Sequence, residues 1–479
     1  MVAHLTDRAG SALDAHARAT LRGRLERAVR RARRGEGEVL VGLTVRLAPG
    51  TDPSAVAFAS RRDGEPWFCF EQPDRDGAAL ATVGRVRAIA ARGPGRFGRA
   101  AAAWRELAGR AEADPPDGPA GAGLVAAGGF AFAPDGGAAP HWAGFGAGEL
   151  TVPEVALARR GEDVRLTLAA LAAPDDVPED LLARLEQRFA SLRDRPLPLL
   201  DPAPIGRFQI ASTAPPEHYE DAVARAVERI RAGAFEKICL AREVSVHAPS
   251  PHDAAAVFDV LRAGFGSCYV FCAGSGDAAF VAASPELLVR REGQRASTVA
   301  LAGSTRRSAD PAVDDHLGEQ LLRSEKDREE QAIVTRRIVR ALRRYSVWVT
   351  APEEPALIKV ANIQHLGTPI RAQLIDPTSV VELAGVLHPT PAVGAEPHAV
   401  ATPLIPALEG LDRGWYAGPV GWTDANEDGE FCVALRCALL RGPEARLYAG
   451  VGVVRDSEPA AELAETEVKL GALLPVLAG

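Results

Sequence analysis

Lysine is nearly missing from this chain: it stands at positions 237, 326, 359 and 469 and nowhere else, within a total of 55 lysines and arginines. A chain that meets almost every need for a cation with arginine has a reason for each exception. A desolvated lysine can give up its proton and an arginine cannot.

Other shortages exclude classes of function. There is no basic excess: the net charge is -8, so the broad phosphate-neutralising surface that nucleic acid demands is not expected. The basic runs at 30–34 and 336–344 fall in helical patterns and read as solvated helix faces. No stretch of about 18 apolar residues occurs, and the N-terminus lacks the apolar segment of a secretory signal, so a cytoplasmic protein without a membrane span is expected. The six cysteines, Cys69, Cys239, Cys268, Cys272, Cys432 and Cys437, make no CxxC pair and no Cys/His cluster of zinc spacing. Reduced, buried thiols are the expectation.

What is present is material for a large core, 47% hydrophobic residues over 479 positions. The first 200 residues offer a helix at 18–34, strands at 39–47, 67–72 and 155–171, and a flexible Gly/Pro loop at 113–123. Paired glycines in "LVAAGGFAF" (124–132) suggest a central strand closely approached by another backbone. A proline cluster at 195–206 divides the chain into a motif-poor part, 1–205, and a motif-rich part, 206–479. In the second part a helix over 215–235 leads into the strand "FEKICLAREVSV". One long amphipathic helix or a pair covers 313–345. A turn and a strand come next over 421–440, then a small-residue strand over 446–454, and a last helix with Ser457 as N-cap and Pro459 in its first turn. Strands interleaved with long helices make the fold α/β or α+β, without internal repeats.

Four places carry possible chemistry. Strand alternation sets Lys237 on a face with Cys239 and Ala241, small neighbours that leave room for a ligand beside a potential base. The same pattern suits a buried lysine paired with a carboxylate. Glu462, Glu465 and Lys469 share a helical face and could place two hard oxygen ligands beside a cation such as Mg²⁺, or form an ordinary charged surface. Lys326 and Glu330 are an i,i+4 pair beside Asp327 and Glu329. Arg436, in a strand whose alternation gives it Glu430, Cys432, Ala434 and Ala438 as companions, stands near Ala449, Gly450 and Gly452. That is a receptor for a carboxylate or a structural arginine with an acid partner. Gly303 in "ALAGSTRR" could present an N–H to an anion.

The order of the segments decides among these readings. "EKICLAR", "ASPELLVRREG", "ALAGSTRR", "SEKDREEQAIV", "IQHLGTPIRAQL", "LHPTPAVGAEP", "GWYAGPVGW", "DGEFCVALR", "AGVGVV" and "ELAETEVKL" together resemble the chorismate-utilising enzymes, most closely isochorismate synthase. The match covers about residues 212–472, with a looser one before it through "GGFAFAP". The resemblance implies a single large domain of two stacked, mostly antiparallel sheets with helices outside, the proline cluster being an internal joint.

It also implies roles. Lys237 matches the base that activates water for attack at C2 of chorismate, and Glu286 the acid that protonates the departing C4 hydroxyl. Such a step needs a neutral amine and a protonated carboxyl near neutrality, and burial favours the uncharged form of both kinds of group. Glu330 and Glu465, with Glu462 close behind, match ligands of Mg²⁺. Arg436, Gly450, Lys469 and Gly303 match receptors for the substrate carboxylates, His365 a pocket histidine, and Ala392 and Val393 an apolar wall. Gln331 departs from the family, which usually has histidine there, and a glutamine can hydrogen-bond but cannot titrate.

Relatives that make anthranilate carry glutamine where Lys237 stands and use ammonia, so water is the expected nucleophile and no glutaminase subunit is expected. Salicylate synthases keep the lysine and go on to eliminate pyruvate; the "HPTPAVG" wall is more like the enzymes that stop at isochorismate. A silent chorismate-binding regulator would have lost the base or the acid, and both are present. A monomer is expected, as is a place in menaquinone synthesis rather than siderophore synthesis.

Overall fold

The computed structural model describes residues 2–3, 5, 12–201, 204–361 and 363–479. Among them the strands form two sheets, one of thirteen strands and one of ten. Pairing is antiparallel, with a short parallel addition of Val2–Ala3 beside Val39–Leu47. Both sheets mix strands from either side of residue 205. Trp67–Gln72 lies beside Tyr269–Ser275 in the larger, and Val125–Phe130 beside Pro419–Asp424 in the smaller. The expected single domain of two sheets with helices outside is what forms, and the chain around 195–206 is a joint within it, residues 202 and 203 lying outside the described residues.

The larger sheet is apolar on both faces. Phe68, Phe70 and Leu80 point into a core shared with the smaller sheet, while their neighbours Trp67, Cys69 and Ala81 point into a second core under the helices Ala15–Arg31, Pro53–Ser60, Pro178–Ser191 and Ala254–Gly264. This is why "WFCFEQ" and "VLVGLTVRL" read as continuous apolar runs rather than alternating ones. Val125–Phe130 is the central strand expected: a Cβ on Gly128 would stand 2.1 Å from the Glu149 carbonyl oxygen, and one on Gly129 2.6 Å from the Trp415 ring. All six cysteines are buried and free.

Several elements differ from the sequence-based expectation. The candidate strand at 155–171 is a hairpin, Val155–Arg160 and Asp163–Ala172, turning at Gly161. Of the two alternatives for 313–345, the pair of helices is what forms, Pro311–Arg323 and Glu325–Leu342, separated at Ser324, whose hydroxyl caps the second. Glu458, not Ser457, is the N-cap of the helix Pro459–Leu470; the Ser457 hydroxyl accepts from Val454 N instead. The loop at 113–123 is tethered, Asp114 receiving Arg24 and Thr44 N. The largest difference lies at 421–440. The region holds three strands, Pro419–Asp424, Gly429–Val433 and Cys437–Arg441, and the last belongs to the other sheet.

The chain crosses from the smaller to the larger sheet at Ala434–Leu435–Arg436, and from the larger to the smaller at Pro285–Glu286, between Ala278–Ser284 and Leu287–Glu292. The two crossings are laced together: Ala283 N donates to the Arg436 carbonyl at 3.1 Å, Val433 N to the Glu286 carbonyl at 3.0 Å, and the Ser284 hydroxyl to the Val433 carbonyl. A crossing cannot continue either ladder, so its side chains are free to face the gap between the sheets.

Candidate active site

An open cavity of about 640 Å³ lies at these crossings. Its wall includes Glu286, Gly303, Glu330, His365, Ala392, Val393, Arg436, Gly450, Glu465 and Lys469. Those ten, drawn from segments up to 183 positions apart in the numbering (286 to 469), meet in one place. Two of the twelve candidates stand back from the wall. Lys237 is wholly buried behind Glu330, and Glu462 is buried against Lys326.

Lys237 opens the strand Lys237–His247, and its Nζ donates to Glu330 Oε1 at 2.8 Å. The room expected beside this lysine is taken by that carboxylate. Gly452, on the neighbouring strand Glu444–Val453 and opposite Cys239, makes the pair possible: a Cβ there would stand 2.3 Å from Glu330 Oε1 and 2.8 Å from Lys237 Cε. Gly450 is bare for a similar reason, since a Cβ would meet the Tyr416 hydroxyl at 2.7 Å. The two glycines line the cavity, and side chains pack into the space that a Cβ on either would take.

Glu286 is 4% exposed, and burial pushes its carboxyl up to about 8, against the pull of Lys237 and Arg436. It is therefore protonated at neutrality. Arg436 does not share a strand face with Glu430 and Cys432 as expected. It has φ +47, a left-handed backbone that turns it out of the crossing. Its Nε and Nη2 are buried without a partner, and burial lowers its pKa. An arginine with free N–H groups on a cavity wall is a ready receptor for a carboxylate.

Around it the other groups are matched by sign. Lys469 Nζ donates to the Gly450 carbonyl at 2.8 Å and pairs with Glu465 Oε1 at 2.8 Å. Although burial works against it, the Lys469 ammonium and the Ser304 hydroxyl hold the Glu465 carboxyl down at about 2. Burial, with Arg436 and Lys469 nearby, drives His365 down to about 3, so the ring is neutral, and its Nε2 is unpartnered. Gly303 has φ +66 at a register shift between Ala302 and Ser304, where a Cβ would crowd Asp327 at 2.9 Å.

A hard divalent cation has donors here. Glu330 and Glu465 face the cavity, each engaged through Oε1, with Oε2 in no hydrogen bond among the described residues. Glu462 is paired with Lys326 at 2.7 Å, and burial raises its carboxyl. The expected i,i+4 pair of Lys326 with Glu330 is replaced by these two longer-range pairs. No three His, Cys, Asp or Glu among the described residues converge on one point. The donor set suits an ion held by two carboxylates that keeps much of its water, which is the habit of Mg²⁺. Gln331 is no part of it: the side chain is buried and donates to the Ala300 carbonyl and to Thr368 Oγ1, tying the helix to the smaller sheet.

Sequence reasoning overlooks Tyr416, Tyr448 and Ser304, all on the cavity wall. Tyrosine is nearly as scarce as lysine here, with five in the chain, and that scarcity is a signal for the first two, as is the place of Tyr416 within "GWYAGPVGW".

Comparisons with known proteins agree on one relationship. A family model described as chorismate binding enzyme matches residues 26–478. The chain is 37% identical over 464 residues to a salicylate biosynthesis isochorismate synthase of Pseudomonas aeruginosa, covering 95% of this chain and 94% of that protein. It is 35% identical to isochorismate synthase MenF of Bacillus subtilis over 74% of this chain and 75% of that one. Among solved structures, the menaquinone-specific isochorismate synthase MenF of Escherichia coli superposes with a TM-score of 0.76 at 26% identity, covering 95% of this chain and 99% of that one.

The packing against Gly452 gives a direct test. Gly452→Ala must push Glu330 and Lys237 apart, and overpacking of this kind costs about 1–3 kcal/mol. Thermal unfolding of the variant should show a lowered midpoint; an unchanged midpoint would mean the pair does not lie against Gly452.

Proposed function

The chain belongs to the chorismate-binding enzyme family, and we propose that it converts chorismate to isochorismate. The observation that carries the reading is a buried carboxyl, Glu286, held protonated near neutrality on the same wall as an arginine with unpartnered N–H groups. A dicarboxylate that enters this cavity meets Arg436 and Lys469 as receptors, with Gly303 and the neutral His365 beside them. Ala392 and Val393 form the apolar side.

The reaction balances with two proton transfers. Lys237 takes a proton from the water whose oxygen bonds to C2, the ring double bonds shift, and the C4–O bond breaks as Glu286 gives its proton to the departing hydroxyl. One water enters and one leaves. Lys237 acts in its neutral form and reaches the cavity by parting from Glu330, to whose carboxylate its Nζ otherwise donates. Glu330 and Glu465, with Glu462 behind them, would hold Mg²⁺, which when bound supplies positive charge that neutralises and orients a substrate carboxylate. Menaquinone synthesis is the proposed consumer of the product, with loss of menaquinone on deletion of the gene as its check.

Incubating the purified protein with chorismate and Mg²⁺ and resolving the products by chromatography should give isochorismate, with turnover abolished by chelation and restored by Mg²⁺. Salicylate with pyruvate as the main products would make it a salicylate synthase, and no turnover at all would leave a chorismate-binding regulator.

The pH dependence comes from the sign of the Glu286 shift. Its protonated form prevails below about 8 and is lost as pH rises through that value. kcat/KM should therefore fall on the alkaline side of about pH 8, and Glu286→Gln should abolish that limb together with most of the activity. A profile still rising well above pH 8 would remove Glu286 as the acid.

A further inference from the structure

The face of the Lys237 strand that borders the cavity continues beyond it. Lys237, Cys239, Ala241 and Glu243 alternate onto one side. The register sets Cys239 opposite Gly452, Ala241 opposite Gly450 and Glu243 opposite Tyr448. Glu243 is 4% exposed, and no step of the proposed reaction uses it.

Its two oxygens differ. Oε1 receives the Thr213 hydroxyl at 2.8 Å and Arg446 Nη1 at 2.6 Å. Oε2 is buried with no hydrogen-bond partner. Two other buried polar atoms beside it are also without one: His141 Nε2, 3.9 Å from Glu243 Oε2, and the hydroxyl of Tyr448 on the paired strand. One is a carboxylate oxygen that can accept twice, and the other two are potential donors. Buried polar groups left unpaired are unfavourable, and three that complement one another in one spot imply a shared hydrogen-bonded arrangement.

Tyr448 connects that spot to the cavity. It is the middle ring of a stack, its centroid 5.7 Å from Trp142 at 24° and 5.2 Å from Tyr416 at 18°. Tyr448 and Tyr416 both line the cavity, and the Tyr416 hydroxyl lies over Gly450, the residue whose carbonyl holds Lys469.

We propose that Glu243 is a positioning residue for substrate binding: its Oε2 accepts from the Tyr448 hydroxyl and from His141, fixing the middle ring of the stack and thereby the Tyr416 hydroxyl at the carboxylate-receiving end of the cavity. Through His141 and Trp142, the motif-poor part of the chain then shares in the site. The inference rests on chorismate as the ligand.

The test compares Tyr448→Phe, Glu243→Ala and the double variant for KM and kcat with chorismate, with thermal melting of each. Tyr448→Phe keeps the ring and removes one hydroxyl. Loss of one hydrogen bond of about 1–1.4 kcal/mol corresponds to a rise in KM of about 5–10-fold. Because the mutations act through one contact, the double variant should be no worse than the more affected single one, with kcat within about twofold. An unchanged KM in Tyr448→Phe, a loss confined to kcat, or effects that multiply in the double variant would each overturn the proposal. Where Glu243→Ala does not fold, Tyr448→Phe paired with His141→Gln makes the same comparison. If the wild type turns over no chorismate, calorimetric affinity for chorismate replaces KM, so failure of the reaction and failure of the positioning role are read separately.

Discussion

Everything about the cavity depends on one condition: charge placed between two apolar sheets must be paired there, because water is not available to solvate it. The pair of Lys237 with Glu330 is one instance, with the lysine wholly buried. Removing one partner of such a pair costs about 3–5 kcal/mol by stranding the other charge, which is why it is weak as a source of stability and strong as a constraint on which residues coexist. Lys326 with Glu462 and Lys469 with Glu465 are further pairs of this kind on the helices beside the cavity, Glu462 being buried and the other three partly exposed. Three of the four lysines in the chain thus stand around one site, each on a glutamate, and each of those glutamates is a candidate metal ligand.

The exceptions to pairing are as informative as the pairs. Arg436 keeps two buried nitrogens without partners, and Glu286 escapes the cost of an unpaired charge by holding its proton. One is a charge awaiting a counter-charge and the other an acid awaiting a base. Both occupy crossings between the sheets, where backbone geometry is released from either ladder. Arg436 uses that release to adopt a left-handed conformation that a strand would forbid. These two groups stand where the chain changes sheets, and most of the other candidates reach the cavity from the strands and helices on either side.

Strands that bury both faces are legible in the sequence, because their apolar runs and bounding glycines are local signals. Val39–Leu47 and Trp67–Gln72 have the ends that those signals indicate. The crossing at Arg436 is not legible, since "EFCVALRCALL" keeps strand-like alternation through a break that only the position of the other sheet imposes. Which residues gather at the site comes from the order of motifs, not from spacing. Lys237 and Glu330 lie 93 residues apart, and nothing local connects them. The side chains that pack over Gly450 and Gly452 are likewise invisible, because a bare strand looks the same in sequence whatever fills the space beside it.

Lys237 is the lysine that a chain rich in arginine retains at the head of a buried strand, and the proposed chemistry stands or falls with it. The decisive measurement is isochorismate formation by Lys237→Gln, in which the amide can still hydrogen-bond Glu330 but cannot take a proton from water. If Lys237 is the base, the variant melts below the wild type, as the loss of the charge opposite Glu330 requires, yet it folds, binds chorismate and forms no isochorismate; turnover at a rate comparable to the wild type would contradict that role.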